Sequence, residues 1–103
     1  MTAFDFGDGA GPVLAHRHPN GGGWVADTAT VERSAYVGPD ATVFGTALVT
    51  GYVSVYGHAS VYGTARVHGP ADVYGNARVH GTARVSRLPA LRWVLRGRLG
   101  GSK

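Results

Sequence analysis

The stretch that decides the fold is "VYGNARVHGTARV", residues 73–85. Valine returns in it every six residues, and around Val79 there is an alanine two positions before (Ala77) and a glycine two positions after (Gly81). An α-helix repeats near 3.6 residues and a strand near 2.0 residues. A period of six therefore indicates a unit that combines a short strand with a bend.

The same register extends far beyond this stretch without an insertion. It holds at eleven consecutive positions, which are Val25, Val31, Val37, Val43, Val49, Val55, Val61, Val67, Val73, Val79 and Val85. The position two before each valine is glycine or alanine, except at Val53. The position two after is glycine from Gly45 to Gly81. Self-similarity at a fixed period is typical of a repeat architecture.

Six is an even number, so each valine and the small residue before it point to the same side of an extended chain. The residues between them point to the other side, and glycine permits the bend that ends each unit. A straight run of this length would extend about 200 Å and leave the valines in water. The chain is therefore expected to coil, so that successive turns stack as parallel strands.

Residues 18 apart have matching types, which predicts three units in each turn. Three columns carry this signal, namely Thr28, Thr46, Thr64 and Thr82, then Phe44, Tyr62 and His80, then Tyr56 and Tyr74. The predicted fold is all-β, a parallel β-helix shaped as a triangular prism. It has about four coils of three units each if Leu91 continues the register.

This organisation divides the chain into three parts. Residues 1–22 are expected to form an N-terminal capping or docking segment, 23–88 the repeat, and 89–103 a basic C-terminal tail. The tail "SRLPALRWVLRGRLGGSK" fits a strand or a short helix, and both would place leucines on one side to cover the last coil. The sequence leaves these two alternatives open.

The unit V-x-G-x-A-x, repeated over 23–88, resembles the hexapeptide repeat of the left-handed parallel β-helix superfamily. The opening Gly22-Gly23-Trp24-Val25 is similar to a subgroup of acyltransferase-like repeat proteins of bacteria and phages. The resemblance implies left-handed coiling and a trimer. In the enzymes of the superfamily it also implies acyl-carrier sites between subunits, with a histidine as base. A shared fold does not by itself transfer a function.

Composition excludes several classes of protein. The chain has no cysteine, so it offers neither disulfides nor a thiolate metal site. No stretch approaches the roughly 20 apolar residues of a membrane span. The start MTAFDFGDGAG lacks the basic and apolar regions of a secretory signal. We therefore expect a cytoplasmic or virion-associated protein.

A core of valine and alanine leaves no interior space for a ligand, so any site is expected on an outer face, at an end or between subunits. The uninterrupted repeat and the lack of a convergent catalytic set predict a non-enzymatic structural or assembly module. It would form a homotrimer and present its faces or ends to a protein partner, in a virion or another large assembly. We assign no catalytic residue and no cofactor.

Two alternatives stay open. The first is an acyltransferase-like enzyme with sites between subunits that use His58, His68 or His80. The second is a glycan-binding module on the strip of aromatic residues. We predict instead that this strip is a subunit interface, because a prism of this size is only marginally stable alone. Its residues are Phe44, Tyr62, His80, Tyr56 and Tyr74.

Charge is unevenly distributed along the chain. Residues 1–65 contain two arginines and five acidic residues, a net charge of −3, whereas 66–103 contain eight basic residues and Asp72, a net charge of +7. This basic end, with Arg84, Arg87, Arg92, Arg96 and Arg98, suits an acidic partner. No nucleic-acid recognition motif accompanies it, which argues against a nucleic-acid partner.

His16 and His18 are the remaining candidates, in "HRHPNGGGW" at residues 16–24. On a strand the two imidazoles would share one side, which suits a metal ion. No carboxylate or third ligand is evident nearby in the sequence. We therefore favour a capping segment that enters the first coil through three glycines, and assign no metal.

Overall fold

The computed structural model describes residues 2–85, which form thirteen strands and no helix. The strands are short, between two and six residues each. They are β1 (Thr2–Asp5), β2 (Pro12–Arg17), β3 (Trp24–Ala26), β4 (Thr30–Val31), β5 (Tyr36–Val37), β6 (Thr42–Val43), β7 (Leu48–Thr50), β8 (Val53–Val55), β9 (Ser60–Val61), β10 (Arg66–His68), β11 (Ala71–Val73), β12 (Arg78–Val79) and β13 (Arg84–Val85).

From β3 onward the strands form the three faces of a parallel β-solenoid. Face I contains β3, β6, β9 and β12, face II contains β4, β7, β10 and β13, and face III contains β5, β8 and β11. Every parallel pair joins residues 18 apart, as in Val43 with Val61 and Val67 with Val85. This register confirms the predicted coil. The described residues complete about three turns, and β12 and β13 begin a fourth.

The interior is a column of valine and alanine, as the period of six predicts. Ten of the eleven valines in the repeat register have at most 1% of their surface exposed, and Val31 is partly buried. Val53 replaces the small residue of its unit and is 1% exposed. Because the inward positions are filled all along the described coils, any binding site has to lie on the outer surface.

Glycine at the corners lets adjacent coils approach closely. Gly63 has a φ of 72°, in the left-handed region that other residues rarely adopt. A Cβ atom on Gly63 would lie 2.9 Å from the backbone nitrogen of Gly81 in the next coil. The repeated glycine is therefore required both by the bend and by the close packing of the bends.

The threonine column ties one coil to the next. The hydroxyl of Thr64 donates a hydrogen bond of 2.8 Å to the carbonyl of Gly81, and that of Thr46 donates one of 3.2 Å to Gly63. Thr28 makes the same bond to Gly45. The equivalent partner of Thr82 would lie beyond residue 85, outside the described residues. Threonine in this column therefore has a structural role in the described coils.

The N-terminal segment adds an antiparallel hairpin to face I. β1 pairs with β2, and β2 pairs with β3 so that Ala15 lies opposite Ala26. Residues 18–23 lie along the N-terminal edge of face III, where the backbone of Gly23 donates to Val37 and that of Val37 donates to Asn20. The predicted C-terminal tail, 89–103, lies outside the described residues.

Candidate functional site

A cleft of about 360 Å³ opens on the outer side of face I. The connection between β1 and β2 forms one wall, and side chains of face I and its corner form the rest. The lining residues are Phe6, Gly7, Asp8, Phe44, Ser60, Tyr62 and Arg78. The cleft therefore combines aromatic rings with one carboxylate, the two hydroxyls of Ser60 and Tyr62, and one guanidinium group.

A ladder of four parallel rings runs along one wall of this cleft. Phe44 and Tyr62 stack with their centroids 4.7 Å apart and an interplanar angle of 2°, and His80 stacks on Tyr62 at 5.1 Å. Phe6 of the hairpin stacks on Phe44 at 4.8 Å. The predicted column of Phe44, Tyr62 and His80 therefore exists, and the hairpin extends it by one ring.

The ladder turns ring edges, not ring faces, towards the cleft. Each inner ring has a neighbour on both of its faces, and Phe44 is only 7% exposed. A sugar packs its apolar side on an open ring face, so this geometry does not favour a glycan strip. Sequence analysis missed Phe6 because it lies outside the repeat. The one hint was Ala26, which leaves the column without a ring at the position one coil before Phe44.

The second aromatic surface, here called the tyrosine face, consists of Tyr36, Tyr52, Tyr56 and Tyr74. Tyr36 belongs to β5, and the other three flank β8 and β11, so all four lie on or beside face III. Tyr56 and Tyr74 form the predicted column, with centroids 5.3 Å apart. Tyr52 is the most exposed large apolar residue described, at 79%.

The surroundings of Tyr56 raise the pKa of its hydroxyl. Partial burial raises the pKa of Tyr56, and the nearby Asp72 carboxylate and Tyr74 raise this pKa further. Asp72 lies on face III itself, in register with Ser54. Each phenol hydroxyl of the tyrosine face can donate as well as accept hydrogen bonds.

Tyr36 and Tyr52 were missed by the sequence analysis, and the reason is clear. A column is recognised in the sequence by rings at matching positions of successive coils, but Tyr36 is followed in its column by Ser54, and Tyr52 by Pro70. Neither tyrosine has a ring in the next coil. Both tyrosines become apparent when the outward residues are grouped by the face of the prism on which they lie, instead of by matching positions in successive coils.

Face II carries a pair of arginines, here called the arginine pair, at Arg66 and Arg84. They are register partners on the adjacent parallel strands β10 and β13, and both side chains are exposed. Arg78 occupies the same repeat position on face I, but its register partner is Ser60. Arg84 belongs to the predicted basic end, whereas Arg87, Arg92, Arg96 and Arg98 lie outside the described residues.

His16 and His18 do not face a common site. The Nδ1 atom of His16 lies 2.7 Å from Oδ1 of Asp27, a carboxylate that the sequence analysis did not identify. His18 is 3% exposed, and its Nε2 donates a 2.7 Å hydrogen bond to the carbonyl of Ala35. The condition for a shared side, that both residues lie on one strand, is not met, because β2 ends at Arg17 and the alternation stops there.

The three histidines considered for catalysis also lie apart. His80 belongs to the ring ladder, His68 is exposed on face II, and His58 is exposed at the corner between β8 and β9. Within residues 2–85, no three histidine or acidic side chains come close enough together to hold a metal ion. Within the described part of a single chain, the three histidines therefore do not converge on one site.

Comparison of the chain with protein-family models, with curated proteins and with solved structures finds no match. Among residues 2–85 there is no helix long and apolar enough to cross a membrane.

Proposed function

We propose that this protein is a structural assembly module whose prisms associate side by side through the tyrosine face. One observation carries the proposal: four of the five tyrosines in the chain lie on or beside face III. The strands of that face contain no arginine, whereas Arg78 lies on face I and the arginine pair on face II. Two copies can therefore meet at face III with little repulsion between basic groups.

Tyrosine is well suited to such a contact. Its ring contributes apolar area, its hydroxyl satisfies hydrogen bonds, and few rotatable bonds have to be fixed. A face of exposed rings on a narrow prism is also the kind of apolar surface that is commonly covered by a partner.

The oligomer we propose is a parallel homotrimer, with one face of each prism turned towards the three-fold axis. The number three and the left-handed coil come from the resemblance to hexapeptide-repeat proteins. The physical motive comes from size, because a short prism has little core relative to its surface. The trimer would then present its remaining faces and its basic ends to a protein partner in a virion or another large assembly.

The acyltransferase-like alternative has less support. The repeat runs from β3 to β13 without a protruding loop that could help to build a site between subunits. His58, His68 and His80 lie in different parts of the prism, as described above. Saturable binding of acetyl-CoA by the assembled protein would favour this alternative over the structural module.

The test is a pair of matched variants, Tyr36→Arg and Thr30→Arg. Both residues are exposed, directly precede a valine of the repeat, and lie in the most N-terminal strand of their face. Light scattering after size-exclusion chromatography at micromolar concentration should give a trimer for the parent chain and for Thr30→Arg, and a monomer for Tyr36→Arg.

Circular dichroism would establish that both variants keep the β-solenoid. A parent chain that is monomeric at this concentration would overturn the proposal. A trimer that persists in Tyr36→Arg would show that association uses another face.

A further inference from the structure

We propose that the arginine pair on face II binds an oxyanion of the phosphate type. Arg66 and Arg84 would hold the anion between them, and His68 borders the same surface. The site is separate from the tyrosine face, so it does not depend on how the prisms assemble. It assigns a ligand chemistry to a part of the molecule that the proposed assembly leaves exposed.

The backbone fixes the geometry of the pair. Arg66 and Arg84 are register partners on neighbouring parallel strands, and such strands lie about 4.8 Å apart. Both residues directly precede an inward valine, so both side chains leave the prism in the same direction. His68, two residues after Arg66, extends from the same side of β10.

No Asp or Glu side chain forms an ion pair with Arg66 or Arg84 in the described residues. All six acidic residues lie between Asp5 and Asp72, so the structure describes every one of them. Across residues 2–85 the one ion pair within 4.0 Å joins His16 to Asp27. Asp72, the acidic residue nearest to the pair in sequence, lies on face III. Like charges at register positions repel each other, and an external anion would relieve that repulsion.

The chemistry of guanidinium selects the class of anion. Each guanidinium group presents five N–H donors in a fixed fork that matches the oxygens of phosphate. Two such groups side by side can bond different oxygens of one multiply charged anion, and hydrogen bonds between charged groups are the strong ones. A chloride ion offers one centre and one charge, so it cannot replace phosphate in this arrangement.

Arg78 provides an internal control for this interpretation. It is exposed, precedes an inward valine and has the same side chain, but its register partner is Ser60. If anions were attracted by charge alone, Arg78 and Arg84 would contribute equally to the affinity. A site built from two adjacent guanidinium groups would depend on Arg84 and not on Arg78.

The experiment is a titration of the full chain with inorganic pyrophosphate, at constant ionic strength maintained with chloride. Isothermal calorimetry should detect saturable binding by the parent chain. Arg84→Gln should weaken it roughly tenfold or more, because hydrogen bonds to charged groups are lost. Arg78→Gln should change it less than about twofold, since only long-range screened attraction is removed. Circular dichroism would establish that both variants are folded.

Arg84→Lys separates the effect of charge from that of hydrogen-bond geometry, because it keeps the positive charge and removes the planar set of guanidinium donors. We expect its affinity to lie between those of the parent and Arg84→Gln. A parallel titration with a short oligothymidylate separates two sources of phosphate. Tighter binding of pyrophosphate would assign a free phosphate compound, and tighter binding of the oligomer with the same dependence on Arg84 would assign a phosphate carried by a polymer.

Two outcomes would overturn the proposal. One is an absence of saturable binding by the parent chain to either probe. The other is an equal loss of affinity in Arg78→Gln and Arg84→Gln, which would mean that the chain attracts anions only through its net positive charge.

Discussion

The coils and the N-terminal hairpin are both made of short strands, but different parts of the sequence hold them in place. Each strand of the coils pairs with a parallel strand of an adjacent coil, and its valine is inside the prism. The hairpin strands β1 and β2 pair locally and antiparallel. They attach to the prism through the pairing of β2 with β3 and through rings, with Phe4 on Trp24 and Phe6 on Phe44. The coils are therefore specified by inward residues and the hairpin by outward ones.

The coils and the hairpin also differ in how deeply their side chains are buried. In the coils, every repeat valine except Val31 is at most 1% exposed. In the hairpin strands, Ala15 is the one side chain that the structure shows as buried, and Leu14 is 47% exposed. The two regions should therefore respond very differently to the same kind of substitution.

The largest difference is expected from a charge placed in each region. Val61→Asp would put an unpaired carboxylate in a core without polar partners, at a cost of several kcal/mol, so the chain should fail to fold. Leu14→Asp would put the same group on an exposed part of the hairpin and should change the free energy of unfolding by less than about 0.5 kcal/mol. Thermal melting monitored by circular dichroism would measure both effects.

A cooperative melt of Val61→Asp near that of the parent would mean that Val61 does not point inward. A strong loss in Leu14→Asp would show instead that the hairpin has a covered apolar side.

A smaller difference is expected from a methyl group added to a glycine of each region. In Gly63→Ala, the new Cβ would sit on a backbone with a positive φ and would lie 2.9 Å from a backbone nitrogen of the next coil. We expect this substitution to lower the free energy of unfolding by about 2–3 kcal/mol. Gly9→Ala, in the hairpin connection, also meets a positive φ but nothing within 4 Å. It should lower the free energy of unfolding by about 1 kcal/mol, because the penalty of the left-handed backbone remains but no close contact is added.

Chemical denaturation would give the free energies for both glycine variants. Equal costs would mean that close packing between corners adds nothing beyond the backbone angle, which would contradict the role assigned to the column of glycines.

The smallest global effect is expected from Phe6→Ala, which removes the ring that the hairpin contributes to the ladder. A stacked aromatic pair contributes about 0.5–1.5 kcal/mol, so the stability of the whole chain should fall by no more than about that amount. The local effect should be larger. Amide hydrogen exchange should accelerate in β1 and β2 while the amides of the coils keep their protection.

Tyr74→Ala is the matched comparison, because it removes a stacked ring from a column that involves no hairpin residue. It should leave exchange in β1 and β2 unchanged. Faster exchange throughout the coils of Phe6→Ala would show that the two regions unfold together.

The difference between the coils and the hairpin also explains which structural features could be predicted from the sequence. The inward register, the three-unit coil and the columns of rings and threonines repeat, and all were predictable from spacing alone. The hairpin occurs once, so no periodicity marks it. Phe6 could be assigned to the ladder only after the chain had been traced through β1 and β2. The partner of His16 was also hidden, because Asp27 is brought to it by antiparallel pairing that the sequence did not indicate.

The candidate surfaces were predictable only in part. Tyr56 and Tyr74 occupy one column and were found, whereas Tyr36 and Tyr52 do not repeat and were missed. Arg84 was identified as part of a basic end, but its adjacency to Arg66 emerges from the register. Outward positions are under no common packing requirement, so they carry information that the repeat itself does not contain.

The register of three units per coil also limits which insertions and deletions of repeat units preserve the outer surfaces of the protein. The core accepts insertions or deletions of a single hexad, because every hexad supplies the same inward valine and, except at Val53, a small inward residue. The exterior does not, since one additional hexad between Arg66 and Arg84 would rotate everything downstream by a third of a turn. Arg84 would then leave face II, and the arginine pair would be lost. Duplication or loss of three hexads together conserves both the interior and the pattern outside, so a whole turn, rather than the visible repeat, is the heritable unit of function in this fold.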